Sequence, residues 1–520
     1  MALFRKNRRS VRKRPSAALK RKNKNTGTVS SAVKAKPVQV SADKVLHFFR
    51  EIAAIPHGSG HTEEISEHLA EFARERGLPF VQDEHNNLII SKEASAGCES
   101  AAPIALQGHI DMVLAKKPDK DMDMLKEAVT VIEDGDWIYA DGTTLGADNG
   151  IAVAMMMAAL DDESIRHPYL ECIFTSDEEI GLVGASRIDL SGLRSRRLVN
   201  LDSETEGVFC AGCAGGGEVI CEMPLVRKHR GGRCASITLT GLSGGHSGAE
   251  IHLGRANGNR LMARLLYGIY QKYPFRLVSV SGGDADNAIP AHAGARIQFA
   301  PDIDTCSVEK LFSEITGDLK AEFSFTDPGM EWSMEWEAAS KENAIPKKAS
   351  AHILRFLMAL PTGVTHVSGE LKGLPQTSLN LGIVSTDKDL LRAVFMVRSG
   401  RNTQAAHIAD RLVCIAEAFG AKAQVRPFYP AWEYREQSPL RDLCVNTYRK
   451  VTGKEPKVEV IHAGLECGIL SGKLPDLDCI SIGPNLENVH TVNERMSISS
   501  AQNVWNYVLA LLEEAAREAD

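Results

Sequence analysis

Four short apolar runs, each ending in or followed by acidic or histidine residues, set the strongest limit on how this chain can fold. They occupy residues 103–113, 170–175, 198–201 and 477–482. Short runs that are mainly apolar are typical of strands buried on both faces. We therefore predict an α/β fold in which the four runs belong to one sheet and end at one edge, where open α/β sheets bind ligands.

The first run closes with a histidine and an aspartate two residues apart. Side chains two apart on a strand share a face, so His109 and Asp111 are predicted to lie side by side. A histidine that binds a metal with one ring nitrogen commonly has its other nitrogen held by a carboxylate or carbonyl. The pair is a candidate metal ligand with its orienting partner, although one His-x-Asp is expected by chance in a chain with 16 histidines.

A second candidate precedes a helix that carries no charge. Residues 151–160 are uncharged and mainly apolar, so this helix is predicted to be buried. Asp148 stands at its N-terminus, where the helix dipole and free N–H groups favour a carboxylate. An ordinary helix cap and a ligand are equally compatible with this position.

The other runs also deliver acids or histidine to the predicted edge. The residues concerned are Asp177, Glu178 and Glu179 after the second run, Asp202 after the third, and His490 after the fourth. Each acidic turn alone is compatible with a solvated loop. Together they would concentrate negative charge at one edge, and a bound cation would balance it.

The first part of the chain contains further local signals. Residues 41–55 and 62–77 are predicted to form amphipathic helices, and residues 80–90 are predicted to form a strand. Asp-Gly-Asp at 134–136, followed by Trp-Ile-Tyr, predicts a hairpin turn with its outgoing strand. These elements are consistent with the α/β fold.

The middle of the chain has a different pattern. Strands are predicted at 234–242, 293–300, 377–384 and 393–398, and helices at 257–270, 307–319 and 403–419. This order predicts two similar α+β units in an inserted domain rather than more parallel sheet. We therefore assign residues 41–214 and 432–520 to the α/β domain and residues 215–431 to the insertion.

Composition agrees with this division and limits the class of protein. The 520 residues exceed what one hydrophobic core supports. A hydrophobic share of 43% and a charged share of 24% are typical of globular proteins, and the absence of a long apolar run predicts no membrane span. Eleven cysteines without regular spacing favour a reducing compartment. We therefore predict a cytoplasmic protein.

Residues 1–40 form a separate segment with 13 Lys and Arg and no Asp or Glu. The segment lacks periodicity and large apolar residues, which predicts a disordered basic tail. A solvated tail, an upstream start codon assigned in error, a contact with nucleic acid or anionic lipid, and an organellar address all fit this composition.

Six motifs in this order resemble those of the M20-type metallopeptidases, and most closely the aminoacyl-histidine dipeptidase group. They are Ile-Pro-His at 55–57, Gly-Thr-Thr-Leu-Gly-Ala-Asp-Asn-Gly at 142–150, Gly-Cys-Ala-Gly-Gly at 212–216, Gly-Gly-His-Ser-Gly at 244–248, Asn-Ala-Ile-Pro at 287–290 and His-Ala-Gly-Leu-Glu-Cys-Gly at 462–468. The resemblance extends over about residues 45–515. It implies a zinc-peptidase-like α/β catalytic domain with an inserted α+β lid and dimerisation domain.

The resemblance also implies two zinc ions, with manganese or cobalt as substitutes. The implied ligands are His109 and Asp202 for one ion, Glu179 and His490 for the other, and Asp148 as the bridge. Asp111 would orient His109. Glu178 would be the general base for a water that the two ions activate.

The same resemblance implies a small dipeptide substrate, unblocked, such as Xaa-His. His246 would reach from the inserted domain of a second subunit of a homodimer and stabilise the oxyanion. Asn287, Arg398 and the backbone at Gly464 would bind the terminal carboxylate of the substrate. Neither a membrane nor a nucleic acid is an expected partner, except through the basic tail.

Two alternatives remain open at this point. The first is a related M20-type N-acyl amino acid deacylase or carboxypeptidase, which would use the same metals and base. The large insertion and the motif at 462–468 favour the dipeptidase. The second is a non-catalytic binding or regulatory protein with the same fold. The presence of both the implied ligands and the implied base argues against it.

Overall fold

The computed structural model describes residues 43–519, and the 22 strands of this part of the chain form three sheets. The predicted basic tail at residues 1–40 lies outside the described residues. In chain order the strands are β1 Phe80–Gln82, β2 Leu88–Lys92, β3 Ile104–His109, β4 Val131–Asp134, β5 Trp137–Ala140, β6 Leu170–Thr175, β7 Arg197–Asn200, β8 Val208–Cys213, β9 Gly215–Pro224, β10 Lys228–Thr240, β11 Arg276–Gly282, β12 Ala293–Phe299, β13 Glu331–Trp336, β14 Ser340–Ala344, β15 Gly363–Val367, β16 Pro375–Thr386, β17 Leu390–Ser399, β18 Lys422–Val425, β19 Lys457–Ile461, β20 Asp478–Ser481, β21 Leu486–Glu487 and β22 Arg495–Ser497.

Eleven α-helices accompany the strands in the described residues. They are α1 Asp43–Ala53, α2 Glu63–Glu75, α3 Ala147–Asp161, α4 Val183–Arg187, α5 Gly258–Lys272, α6 Thr305–Glu322, α7 Lys347–Ala359, α8 Asn402–Ala418, α9 Pro439–Thr452, α10 Glu466–Lys473 and α11 Ile498–Ala516. The helices predicted from the sequence correspond to α1, α2, α3, α5, α6 and α8. No helix in the described part is both long and apolar enough to cross a membrane.

The predicted sheet edge is present in an eight-stranded sheet with the order β1-β2-β6-β3-β7-β20-β8-β19. Its central strands β6, β3, β7 and β20 are neighbours and run parallel to one another. The carboxyl ends of these strands therefore lie at one edge. The prediction that the four apolar runs belong to one sheet is confirmed.

The prediction of one strand over residues 80–90 is wrong, because this segment contains a turn. β1 and β2 pair antiparallel there. Asp83 Oδ1 accepts hydrogen bonds from the backbone N–H groups of His85 and Asn87, each at 2.9 Å, and Asn86 has a left-handed φ of 66°. A short carboxylate that binds its own backbone in this way stabilises a turn.

Helices cover both faces of the eight-stranded sheet. Ile104 and Leu106 of β3 are buried in a core shared with α1, α3 and α11, whereas Ala105 faces the opposite core with α4 and α10. Successive side chains of a strand point to opposite faces, which explains the alternation. α3 lies within the larger core, and its residues 150–160 are all buried, as its uncharged sequence predicts.

Strands β9 to β18 form a second sheet of ten strands with its own core. All of its strand pairs are antiparallel, and α5, α6, α7 and α8 pack against it. The two predicted α+β units are continuous, because β11 pairs with β16 through Gly282 and Val384. The chain leaves the first sheet after β8 and returns to it with β19, and the predicted domain boundaries at 214/215 and 431/432 stay predictions.

A third sheet of four strands has the order β21-β22-β5-β4. It contains the predicted hairpin, in which β4 and β5 pair antiparallel. β22 pairs with β5 and with β21. The loop of residues 488–494 between β21 and β22, which we call the 488–494 loop, is thereby anchored beside the carboxyl edge of the main sheet.

A substitution at Gly108 would test the close contact between β3 and α3. A Cβ atom at this position would lie 2.4 Å from Asn149 Oδ1 and 2.7 Å from Ala152 Cβ. We expect Gly108→Ala to lower the free energy of unfolding by about 1–3 kcal/mol, because strand and helix would have to move apart. Urea unfolding measures the effect.

The matched control is Gly192→Ala, because a Cβ atom at Gly192 would meet no atom within 4 Å. This variant is expected to change the free energy of unfolding by less than about 0.5 kcal/mol. Equal stability of the Gly108 and Gly192 variants would contradict the close packing of β3 on α3.

Candidate functional site

His109 ends β3, and Asp111 follows it just beyond the strand. His109 is 1% exposed, and its Nδ1 lies 3.0 Å from the carbonyl oxygen of Asp111 and 3.4 Å from Asp111 Oδ1. The pair is therefore side by side, with the contact made by both the backbone and the carboxylate. Because Asp111 contacts Nδ1, Nε2 is the ring nitrogen of His109 that is available to a metal ion at the sheet edge.

The carboxylate of Asp111 also binds the turn that carries Glu178 and Glu179. Asp111 Oδ1 accepts from the N–H of Glu178 at 2.9 Å, and Oδ2 accepts from the N–H of Glu179 at 3.3 Å. The hydroxyl of Ser59 donates to Oδ2 at 2.7 Å. Asp111 thus connects the end of β3 to the turn after β6, and Ser59 adds the loop after α1. Burial opposes ionisation of Asp111, but the contact with His109, followed by the hydrogen bonds from Ser59 and from the N–H of Glu178, holds the pKa of Asp111 below its usual range.

Asp148 lies in the first turn of α3, as predicted. Asp148 Oδ1 is 3.3 Å from His109 Nε2, and Oδ2 is 3.1 Å from His490 Nε2. Burial opposes ionisation of this carboxyl, but the hydrogen bonds from both imidazoles hold its pKa below its usual range. Asp148 therefore stands between the two histidines.

His490 reaches the site from the 488–494 loop. Its backbone has a left-handed φ of 63°, a conformation that non-glycine residues seldom adopt. Its Nε2 lies 2.8 Å from Glu179 Oε1, in addition to the contact with Asp148. Both carboxylates raise the pKa of His490 to about 11.

Two overlapping groups of three side chains could each hold a metal ion. The first is His109, Asp148 and Asp202, and the second is Asp148, Glu179 and His490, each with its ligand atoms within 4.8 Å of one another. His109, Glu178 and Glu179 form a third such group. The structure thus brings together all five predicted ligands, with Asp148 common to the first two groups.

The charge and the unfilled hydrogen-bonding capacity of this cluster fit bound cations. Burial raises the pKa of Asp202 to about 7, although His109 opposes the shift. Glu179 Oε1 is buried and accepts no hydrogen bond of good geometry, even though His490 Nε2 is within 2.8 Å. Mixed imidazole and carboxylate ligands suit zinc and related divalent ions. The donor set therefore fits a pair of divalent cations.

Glu178 lies beside this cluster. Burial raises the pKa of Glu178 well above its usual range, and the carboxylates of Asp202 and Glu466 raise it further against the effect of His109. The backbone of Glu178 is fixed by Asp111, as described above. The carboxyl group of Glu178 therefore combines a raised pKa with a position next to the candidate metal site. A general base requires both properties.

A second polar cluster contains the predicted substrate residues Arg398 and His246. Arg398 is 6% exposed; its Nη1 donates to the hydroxyl of Tyr429 at 3.0 Å, and its Nη2 lies 3.3 Å from His246 Nε2. Arg398 Nε is buried without a hydrogen-bond partner, and no carboxylate in residues 43–519 forms an ion pair with this guanidinium. A buried and uncompensated positive charge of this kind fits an anionic ligand.

Gly464 and Asn287 lie near the same cluster. A Cβ atom at Gly464 would come within 2.9 Å of the Tyr429 ring, so the close approach requires glycine. The carbonyl of Asn287 accepts from the N–H of Ser247 at 2.8 Å, which fixes Asn287 beside the segment that carries His246. In the described residues no hydrogen bond or ion pair joins the cluster around Arg398 to the candidate metal ligands.

A network of buried side chains crosses the main sheet just below the candidate ligands. Asn200 Nδ2 donates to Gln107 Oε1 at 2.7 Å, and Gln107 Nε2 donates to Glu466 Oε2 at 2.6 Å. The hydroxyl of Thr175 also donates to Glu466 Oε2, at 2.7 Å. The network therefore links the ends of β7, β3 and β6 to the start of α10.

Sequence reasoning missed several residues that shape the site. Ser59 and Tyr429 are examples, since each contacts a predicted site residue but stands outside the acidic and histidine motifs. Glu494 is a third, because its carboxylate binds the backbone at the start of α3 from a distant loop. No periodicity or short motif marks these positions, and only their tertiary contacts reveal them.

The chain is similar to known proteins over most of its length. The sequence model of peptidase family M20/M25/M40 matches residues 105–514. The cytosol non-specific dipeptidase of Escherichia coli strain K12 is 36% identical over 480 residues, which cover 92% of this chain and 98% of that protein. The structure of the aminoacylhistidine dipeptidase from Vibrio alginolyticus aligns with a TM-score of 0.83 at 34% identity, over 92% of this chain and 98% of that one. A tripeptidase structure from Staphylococcus aureus shares the fold, with a TM-score of 0.53 at 17% identity over 92% of this chain and 100% of that one.

Ser59 provides a test of the connection through Asp111. We expect Ser59→Ala to lower the free energy of unfolding by about 1.5–3 kcal/mol, because a hydrogen bond to a buried carboxylate is lost. Ser191→Ala is the matched control, since its hydroxyl donates to the exposed carboxylate of Asp189 at 3.0 Å. Chemical denaturation of both variants measures the difference, and an equal loss in the two would contradict the role of Ser59.

Proposed function

This chain belongs to peptidase family M20/M25/M40, and from that premise we propose that it is a metal-dependent dipeptidase that hydrolyses unblocked dipeptides, Xaa-His among them. The observation that carries the proposal is the pair of overlapping ligand groups that share Asp148, with Glu178 beside them. The relatives named as dipeptidases in Escherichia coli and Vibrio alginolyticus support the choice of substrate class.

The metal ions that we propose are two zinc ions per subunit, for which manganese or cobalt could substitute. The proposed ligands are His109, Asp148 and Asp202 for one ion and Asp148, Glu179 and His490 for the other. Bound divalent ions polarise a carbonyl group and lower the pKa of water. The contact of Asp111 with His109 would fix the tautomer of that ligand.

The protein groups would carry the proton transfers. Glu178 would take a proton from the attacking water and return it to the leaving amine. The backbone N–H of Glu178 donates to Asp111, and this hydrogen bond would fix the position of Glu178 beside the proposed ligands. His246 of a second subunit would donate to the developing oxyanion, which requires a homodimer formed through the inserted domain.

The cluster around Arg398 would bind the carboxylate end of the substrate. The unpaired Nε and the absence of an acidic partner among residues 43–519 support this assignment. Asn287 and the backbone at Gly464 would add further contacts. A site for a free terminal carboxylate favours a substrate with an unblocked C-terminus.

We also propose a cytoplasmic location. The Escherichia coli relative is named as a cytosol enzyme. All eleven cysteines of the chain lie in the described residues and are unpaired, and nine of them are buried. Unpaired thiols are typical of a reducing compartment.

The test of the proposed function uses purified protein and a panel of Gly-His, β-Ala-His, Ala-Ala and an N-acetyl amino acid. We expect the dipeptides to be cleaved, the activity to be lost on chelation, and Zn²⁺, Mn²⁺ or Co²⁺ to restore it. Glu178→Gln should lower kcat by about 10²–10⁴-fold with metal still bound.

The exposed acid Glu84 provides the control, since Glu84→Gln should keep the activity of the unmodified protein. Cleavage of the acetylated compound alone would replace the dipeptidase proposal by a deacylase. Absence of any turnover with metal bound would indicate a binding protein.

Arg398 tests the proposed carboxylate site. We expect Arg398→Ala to lower kcat/KM for dipeptides by about 10–100-fold, because a charge-assisted contact with the substrate is lost. A dipeptide with an amidated C-terminus should be cleaved at similar rates by both proteins, since it lacks the carboxylate. An equal loss for the free and the amidated dipeptide would contradict the assignment. Initial rates over a range of substrate concentrations give these values.

A further inference from the structure

Glu494 binds the backbone at the start of α3 with both of its carboxylate oxygens. Oε2 accepts from the N–H groups of Leu145 at 2.7 Å and Gly146 at 3.1 Å, and Oε1 accepts from those of Ala147 at 2.8 Å and Asp148 at 3.3 Å. Glu494 is 2% exposed. One buried carboxylate thus binds four consecutive N–H groups.

The start of α3 has no local side-chain cap that could accept hydrogen bonds from these N–H groups. The residue before α3 is Gly146, which has a left-handed φ of 74° and no side chain to serve as a cap. The first N–H groups of a helix lack partners within the helix, and burial makes an unpaired N–H costly. A carboxylate from the far end of the chain supplies the acceptors and is itself favoured by the helix dipole.

Glu494 is the last residue of the 488–494 loop, which also carries His490. The loop therefore contacts the Asp148 segment twice, through Glu494 at the backbone and through His490 Nε2 at Asp148 Oδ2. The carboxylate of Glu494 has no Lys or Arg partner among the residues that the structure describes, so its charge is met by backbone N–H groups.

We propose that Glu494 is a positioning residue that fixes Asp148 and His490 relative to each other before any metal ion binds. It acts through the backbone of residues 145–148 and touches neither the ions nor the substrate. The inference rests on the proposed function, because Asp148 and His490 are ligands only if the metal site is as proposed. Its consequence is that loss of Glu494 weakens metal binding without removing a ligand.

The first test is Co²⁺ titration of the metal-free Glu494→Gln protein, followed by visible absorption. The amide keeps the shape of the side chain but replaces one acceptor oxygen by an N–H₂ group that faces two backbone N–H groups. We expect the affinity for Co²⁺ to fall by about 10–100-fold, as for other residues that orient metal ligands. In the dipeptidase assay kcat should fall more than KM changes.

Asp136→Asn is the matched control. The Asp136 carboxylate also anchors the start of a helix, since it accepts from the N–H of Ser499 at 2.8 Å and the hydroxyl of Ser497 at 2.7 Å. It lies at the β4–β5 turn and contacts no candidate ligand. This variant should lose stability but keep the Co²⁺ affinity of the unmodified protein. Equal affinities in Glu494→Gln and the unmodified protein would overturn the inference.

A second measurement does not depend on the folding of any variant. Hydrogen exchange of the unmodified protein, followed by mass spectrometry of peptides that span residues 145–148, reports whether this backbone is fixed in advance. We expect these amides to be protected to the same degree in the metal-free and the Zn²⁺-loaded protein. Fast exchange in the metal-free protein alone would overturn the inference, because the metal would then order the segment.

Failure of this inference and failure of the proposed function give different results. If the unmodified protein binds no divalent ion and cleaves no dipeptide, the proposed function fails, whatever Glu494 does. If it binds Co²⁺ and cleaves dipeptides while Glu494→Gln does both equally well, only the role of Glu494 fails.

Discussion

The concentration of carboxylates at one edge of the main sheet is the constraint on which the rest of the site depends. Asp111, Asp148, Glu179 and Asp202 are largely shielded from water, and the basic side chains that pair with them in the described residues are the imidazoles of His109 and His490. Buried charge is stable only where it is paired or hydrogen-bonded. The backbone provides part of this compensation, through the N–H groups that bind Asp111, and the remaining negative charge is what divalent cations would balance.

The surrounding loops are organised to hold these charges in fixed positions. Asp177 and His490 both adopt left-handed backbone conformations, with φ of 51° and 63°. Such conformations are uncommon for non-glycine residues and persist where neighbouring contacts enforce them. For Asp177 one such contact is visible, since its Oδ1 accepts from the N–H of Gly60 at 2.7 Å. The strands thus deliver the acids to the edge, and the loops set their final orientation.

The sequence was sufficient for the parts of this architecture that depend on local patterns. The apolar run at 170–175 corresponds to β6, and the uncharged run at 151–160 lies inside the buried α3. The turn at Asp83 was missed because side-chain to backbone bonds leave no trace in hydrophobic periodicity. Ser59 and Glu494 were missed for a different reason, since their partners lie 52 and 346 or more residues away. The family resemblance indicated the candidate ligands, whereas the contacts of Ser59 and Glu494 became apparent only from the structure.

The 349-residue separation between Leu145 and Glu494 has a consequence for biosynthesis. A chain emerging from a ribosome presents β3, α3 and β6 long before the 488–494 loop exists. Contacts between distant parts of a chain form late because closing a long loop is entropically costly. The start of α3 therefore lacks its carboxylate, and Asp148 lacks His490, until the 488–494 loop has been synthesised. A chain that lacks the 488–494 loop therefore has the strands of the candidate site but not the carboxylate and the imidazole that complete it.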